Sequence, residues 1–362
     1  MRDVLLSRRF ILLALALVLL AVFPYLHTLP FFGSFIDPYR TFQGMRFGLW
    51  LIILMGLNLL IGYSGQISLG HAAFVSIGAY IAAILMNDYS FPVVAAVLVG
   101  GLLTGCIGFL IGIPALRLSG PYLAIATLAM IIVLPQILKH DVIDQWTGGV
   151  MGISLDLPHV PDSLKDRATD DQWLYYMCMV PAIIMTIMAW SITRSRIGRA
   201  FIAIRDSEIG AQQMGVNVSL YKMTAFGLSA LYAGTGGALY VYTLAYLGPA
   251  EFDINLSLTM LVMIVLGGLG SIAGTVYAAI IMTMRIDLTD WIAGIIPFGE
   301  RLGIDTTRGA LFGILLILSM IFTPKGVAGN IEKSKQERHG EKLRELISRP
   351  FSRSRPRKSD SV

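Results

Sequence analysis

Residues 10–36 read FILLALALVLLAVFPYLHTLPFFGSFI and contain no Lys, Arg, Asp or Glu. An apolar run of that length is enough to cross a bilayer as a helix. Nine further apolar blocks follow, at 47–63, 67–86, 92–116, 121–138, 173–192, 223–247, 254–269, 272–284 and 309–322. The whole chain is 55% hydrophobic and only 14% charged, against about a quarter charged in soluble domains. The pattern predicts an all-α, polytopic helical membrane protein with about ten transmembrane helices. Arg2, Arg8 and Arg9 precede the first block, but that block exceeds a signal-peptide core and no small-x-small cleavage site follows it. It is read as a retained first helix.

Lys and Arg in the loops set the orientation. With the N-terminus inside, alternating crossings put Arg117 inside and residues 139–171 outside. That outer loop holds three Lys or Arg against seven Asp. Residues 194–222 fall inside and carry Arg194, Arg196, Arg199, Arg205 and Lys222. The charged residues of 331–362, ten basic and five acidic, return inside. Two regions result: a transmembrane domain at 1–329 and a basic cytoplasmic tail at 330–362, partly disordered. Beside a membrane bundle such a tail fits anionic lipid and gives no reason to invoke nucleic acid.

Several short features are architectural. Gly101 with Gly105, Gly108 with Gly112 and Gly270 with Gly274 are spaced for close helix contact. Cys106 and Cys178 read as small buried apolar side chains. Residues 285–308 read as an interfacial helix on the outer face, with Trp291 at headgroup level. Asn58, midway along its block, suits an interhelical hydrogen bond.

Two glycine breaks interrupt the apolar pattern. One is Gly62-Tyr63-Ser64-Gly65, followed by Gln66, Ser68 and His71; the other is Gly267-Gly268-Leu269-Gly270-Ser271. Each reads equally as a surface turn or as unwound backbone beside a substrate path. The residues taken to line that path are Gly62, Gly65, Gln66, Ser68, His71, Gly268 and Gly270. For Ser68 a helix cap is the simpler role, and for His71 a packing bond to a neighbouring carbonyl.

No G-x-x-x-x-G-K-[ST] phosphate loop occurs, nor any Gly-Lys pair, so no nucleotide engine is encoded. Mid-block positions carry almost no ionisable groups of the kind an ion-driven carrier uses, and Asp37, Asp88, Asp253 and Asp287 fall near block ends. Either transport is passive or a partner supplies the energy. A membrane enzyme would need a nucleophile–base set or a metal cluster, and neither is legible.

The stretch Asn58-Leu59-Leu60-Ile61-Gly62-Tyr63-Ser64-Gly65-Gln66-Ile67-Ser68-Leu69-Gly70-His71-Ala72-Ala73-Phe74, with Gly78-Ala79-Tyr80, closely resembles the signature of LivM-type permeases of branched-chain amino acid ABC importers. Thr147-Gly148-Gly149-Val150-Met151-Gly152, Gly198 to Glu208 with Met214-Gly215, Gly267 to Ser271 and Thr323-Pro324-Lys325-Gly326 are similar to further family elements. The resemblance covers about 47–329. It implies a fold like that of the cobalamin importer's permease and a non-enzymatic role. The cofactor expectation is none, with ATP bound by partner subunits. The partners implied are a second permease of the LivH type, two cytosolic ABC ATPase subunits and an external substrate-binding protein. The location implied is the bacterial cytoplasmic membrane, both termini inside. The solutes implied are leucine, isoleucine and valine, with urea or short amides in a related importer as the alternative and a passive channel or secondary carrier behind it. The loop at 194–222 becomes an ATPase-coupling element built on Arg199, Arg205, Asp206, Glu208 and Met214.

Overall fold

The computed structural model describes residues 38–295, apart from 117, 119, 156–158, 161–168 and 245, together with Pro24 and Gly313. The blocks at 10–32 and 309–322 and the basic tail lie outside the described residues. Each of the other eight apolar blocks is a helix. They are α1 (Pro38–Leu57), α2 (His71–Asn87), α3 (Val93–Ala115), α4 (Pro121–Leu138), α6 (Asp170–Arg194), α9 (Val218–Tyr240), α10 (Ile254–Gly267) and α11 (Ile272–Ile295). Short helices α5 (Asp144–Thr147), α7 (Arg196–Asp206) and α8 (Glu208–Gln213) lie in the loops. Strands β1 (Ile153–Ser154) and β2 (Tyr246–Leu247) pair antiparallel, Ile153 opposite Leu247.

Among the described residues four helices are long and apolar enough to cross a membrane: Tyr39–Tyr63, Val93–Ala115, Pro121–Leu138 and Asp170–Arg194. The first is mostly buried inside the protein, and the other three present much of their surface outward. Helix α9 is the second central element. It is rich in Gly, Ala and Ser, and it packs on α1, α2 and α3. The glycine spacing on α3 meets it directly. A methyl group on Gly101 would strike Thr235, on Gly105 Leu231, and on Gly108 Ala230. Only small residues permit this approach, which replaces hydrophobic drive with close van der Waals contact. Gly274 likewise packs on Gly267, joining α10 to α11.

Several sequence expectations are corrected. Cys178 is buried, but Cys106 is exposed on the outward flank of α3. Block 67–86 begins four residues late, because 64–70 are not helical. Block 223–247 starts earlier, at Val218, where Asn217 caps the helix by accepting from Leu220 N, and it ends at Tyr240. Arg285 and Asp287 do not open a separate interfacial helix; they belong to α11, which runs on to Ile295. Residues 296–308 lie outside the described residues.

Candidate functional site

Alternation along the chain brings the C-terminal ends of α1, α6 and α10 and the N-terminal ends of α9 and α11 to one end of the bundle. Both glycine breaks and the loop 194–222 lie at this end, and they touch.

At the end of α1 the helix widens into a π-turn, Asn58–Tyr63. Ser64 N bonds Leu59 O at 3.2 Å, five residues back, and Ser64 Oγ donates to Leu60 O at 3.0 Å. Such insertions recur at functional sites. The Asn58 side chain spans the gap to the second break. It accepts from Gly270 N at 2.9 Å and donates to Ser271 O at 3.0 Å and Thr275 Oγ1 at 2.7 Å. The interhelical bond read for Asn58 is thus threefold. Gly62 lies against the same group: a methyl there would collide with both Asn58 Oδ1 and Gly270 N. Gly268 and Gly270 have φ of 113° and 72°, conformations that favour glycine.

Beyond the π-turn, residues 64–70 run non-helically back into the bundle. Ser64, Gln66, Ser68 and Gly70 are buried, while Gly65 and Ile67 are exposed. Backbone of this kind survives at membrane depth only where protein or water surrounds it. Here this stretch and the first residues of α2 find partners on four helices. Gln66 Nε2 donates to Ser64 Oγ at 2.7 Å and to Lys222 O of α9 at 3.5 Å. Leu69 N donates to Thr127 Oγ1 of α4, and Ala72 N to Ser257 Oγ of α10. His71 is fully buried, with Nε2 3.0 Å from Ile53 O in α1. Ser68 does not cap α2; Gly70 stands at that position, and Ser68 Oγ is buried without a hydrogen-bond partner.

The loop 194–222 closes over both breaks. Helix α7 is amphipathic, and its apolar face, Ala200, Phe201 and Ile204, is buried against the bundle. Phe201 meets Tyr221 edge to face. From the same helix Arg205 Nη1 donates to Gly62 O at 2.7 Å. The Arg205 Cγ would be 2.7 Å from a methyl on Gly65, whose φ is 73°. Arg205 also pairs at 3.4 Å with exposed Asp206, a contact of little strength. Glu208 does not project freely: its carboxylate takes Lys222 Nζ at 2.6 Å, and the lysine stem is buried. Arg199 bonds Arg194 O at 3.2 Å. Ile209 of α8 and Met214 just past its end stand 72% and 86% exposed, leaving a free apolar knob on the loop. The structure therefore brings together Gly62, Gly65, Gly268, Gly270, Arg205 and Asn58, and leaves Arg199 and Met214 apart at the surface.

At the opposite end, Tyr39 and Gln43 of α1 both donate to the Asp287 carboxylate of α11. Here the Trp50 ring meets Tyr240 at a tilt, and Tyr240 meets Phe252 edge to face. Arg46 lies on α1, Arg285 on α11 and Glu251 directly before Phe252, and the sequence reading singled out none of the three as a site residue. Arg46 and Arg285 sit at the edges of apolar blocks, and that placement on a bundle helix was the available signal. Among the described residues no group of three metal-ligating side chains occurs.

The family model described as "Branched-chain amino acid transport system / permease component" matches residues 43–322. The chain is 29% identical over 300 residues to the high-affinity branched-chain amino acid transport system permease protein LivM of Salmonella typhimurium, covering 77% of this chain and 67% of that protein. It is 29% identical over 304 residues to LivM of Escherichia coli K12, with the same shares. The autoinducer 2 import system permease protein LsrC of Escherichia coli is 26% identical over 266 residues, covering 68% of this chain and 73% of LsrC. No solved structure matches the chain.

Proposed function

The chain belongs to the branched-chain amino acid transport permease family, and on that footing we propose that it is one membrane half of an ATP-driven importer for leucine, isoleucine and valine. In this reading ten helices span the bacterial cytoplasmic membrane, both termini face the cytoplasm, and the fold is like that of the cobalamin importer's permease. A LivH-type permease forms the other half, an external binding protein delivers the solute, and two cytosolic ATPase subunits bind the ATP. The observation that carries the proposal is the bond from Arg205 to Gly62 O. It couples a surface loop directly to broken backbone inside the bundle.

The mechanism follows from that contact. An ATPase seated on Ile209 and Met214 moves α8. Helix α8 is tied to α9 through Glu208 and Lys222, and α7 is tied to α1 through Arg205. Movement of the loop therefore displaces Gly62, and Asn58 passes the displacement to Gly270. The two breaks shift together, and the inner end opens or closes. A short helix with an exposed apolar knob is the form that suits a groove on another protein.

Proteoliposomes containing the chain with its second permease and ATPases test the proposal. Leucine uptake that requires both ATP and the binding protein is the expected result. Uptake by this chain alone, without ATP, would identify a passive channel or carrier. ATP-driven uptake of urea or autoinducer 2, but not leucine, would identify another solute.

A further inference from the structure

Helix α3 packs on α9 and helix α6 on α1, but α3 and α6 hardly touch each other. An apolar groove of about 510 Å³ runs between them, within the size range of sites that bury small ligands. Val94, Leu98 and Leu102 of α3 form one wall, and α6 from Trp173 to Met188 forms the other. Leu231, Thr235 and Leu239 of α9 make the floor. The hydroxyl in that floor is already committed, Thr235 Oγ1 donating to Leu231 O at 2.8 Å. On the walls Val94, Leu98, Leu102, Val180 and Ile184 are between 49% and 59% exposed, so the groove is open along its length.

The depth of the groove decides what fits it. Its lining lies towards the end of the bundle opposite the breaks, on the first part of α3 and the last part of α9. The span from Val94 to Leu102 is about 12 Å, and that from Trp173 to Met188 about 22 Å. One leaflet contributes about 15 Å of hydrocarbon. A spanning helix of another subunit needs about 30 Å and would overrun walls that end at Leu102 and Met188. A single acyl chain matches the depth. Trp173 and Tyr176, both half-buried, stand at the open end, where amphipathic rings meet headgroups. Charge at that end has one sign. Asp88 lies just before α3, and Asp170 and Asp171 open α6, all three exposed. Neither 86–96 nor 169–182 contains Lys or Arg.

We propose that this groove holds one acyl chain of a zwitterionic membrane lipid with a primary ammonium in its head, the phosphatidylethanolamine class. The proposal needs the chain to span the membrane and is independent of which solute crosses. The acyl chain lies along α6 between Leu98 and Val180, and the ammonium reaches the carboxylates at the open end. An anionic head such as phosphatidylglycerol meets only like charge there. The bound chain also has a mechanical role. Pro181 lies on the groove and interrupts the hydrogen bonding of α6, which lets the helix bend at that point. Helix α6 runs on through Ser195 into α7, the helix that carries Arg205. An acyl chain wedged between α3 and α6 fixes the bend, and with it the position of the coupling helix.

The test places the complete permease complex in nanodiscs that contain a trace of photoactivatable lipid. Two probes share one acyl chain and differ in head, phosphatidylethanolamine or phosphatidylglycerol. Peptide mapping should put the ethanolamine probe on Leu98, Leu102, Val180 and Ile184. Its yield should be about threefold that of the glycerol probe, the scale of one exposed charge pair. Leu98→Trp with Val180→Trp fills the groove from exposed positions, so the thermal melt should hold. Labelling at Leu102 and Ile184 should then fall about tenfold, because the acyl chain loses its apolar contacts. Equal yields from the two heads, or labelling unchanged in the double variant, overturn the site and leave ordinary boundary lipid. A photoreactive residue in place of Ile184 that captures the second permease and no lipid overturns it in favour of a subunit contact.

Discussion

The guanidinium of Arg205 bonds the backbone carbonyl of Gly62, 143 residues away in sequence, at 2.7 Å. The acceptor is the fifth of six residues in a π-turn, where regular helical bonding has already been given up. The arginine therefore replaces part of the hydrogen bonding that the helix lost, and it does so from a surface loop. A side chain that completes the bonding of a broken helix also controls where that helix ends.

Arg205→Ala should reduce ATP-driven uptake about tenfold, as expected for the loss of a charged hydrogen bond to a part-buried carbonyl. The ATPase subunits should still co-purify, because the docking knob is elsewhere. Arg205→Lys should retain an intermediate rate. Unaltered uptake in Arg205→Ala would remove the proposed transmission step.

The double variant Ile209→Asp with Met214→Asp should abolish co-purification of the ATPase subunits while leaving the thermal melt of the purified permease unchanged. Both side chains are largely exposed, so the fold loses no buried contact. Retained ATPase binding would show that the knob is not the docking surface. Glu208→Lys is a poorer probe than the sequence suggests, since it breaks an internal pair with Lys222.

Gly62→Ala places one carbon where Asn58 Oδ1 and Gly270 N already lie. Overpacking of this kind destabilises by roughly 1–3 kcal/mol. The expected outcome is a lower melting temperature in detergent together with lost transport. Asn58→Leu should act through the same three contacts, with about 0.6 to 2 kcal/mol for interhelical bonds in membranes. If Gly62→Ala melts normally, the breaks are not in contact in the working protein.

Cysteines introduced at Met214 and Met151, both over 80% exposed, give a direct topology test. In a cysteine-free background, Met214→Cys should be labelled only from the cytoplasm and Met151→Cys only from outside. Labelling of both from one side would reverse the assignment of the ends.

Much of the helical framework was legible because apolar length is a strong signal, and the eight blocks within the described residues all appear as helices. Boundaries were less legible where a tertiary contact decides them. Leu69 and Gly70 look as apolar as the helix after them, yet Leu69 N donates to Thr127 Oγ1, 58 residues on. The two breaks were visible as glycines, but nothing local reveals that Asn58 joins them. Ile204 and Ala211 look like the exposed Ile209 and Met214 of the same loop, yet both are buried. An amphipathic helix announces that one face is covered without saying by what.

Gly62 has one further consequence. Between the π-turn of α1 and the turn at Gly270 stand the Asn58 amide and the Arg205 guanidinium, both held by hydrogen bonds, and no side chain can be added at Gly62 itself. An aperture bounded by side chains opens by rotamer flips, which exposed residues make in picoseconds to nanoseconds. Close-packed main chain and side chains pinned by several hydrogen bonds leave no free rotamers to flip. Such a junction opens only when whole helix ends translate, on the microsecond-to-millisecond scale of collective motion. The junction of the two breaks therefore resists fast thermal fluctuation, and it yields only when backbone moves with it.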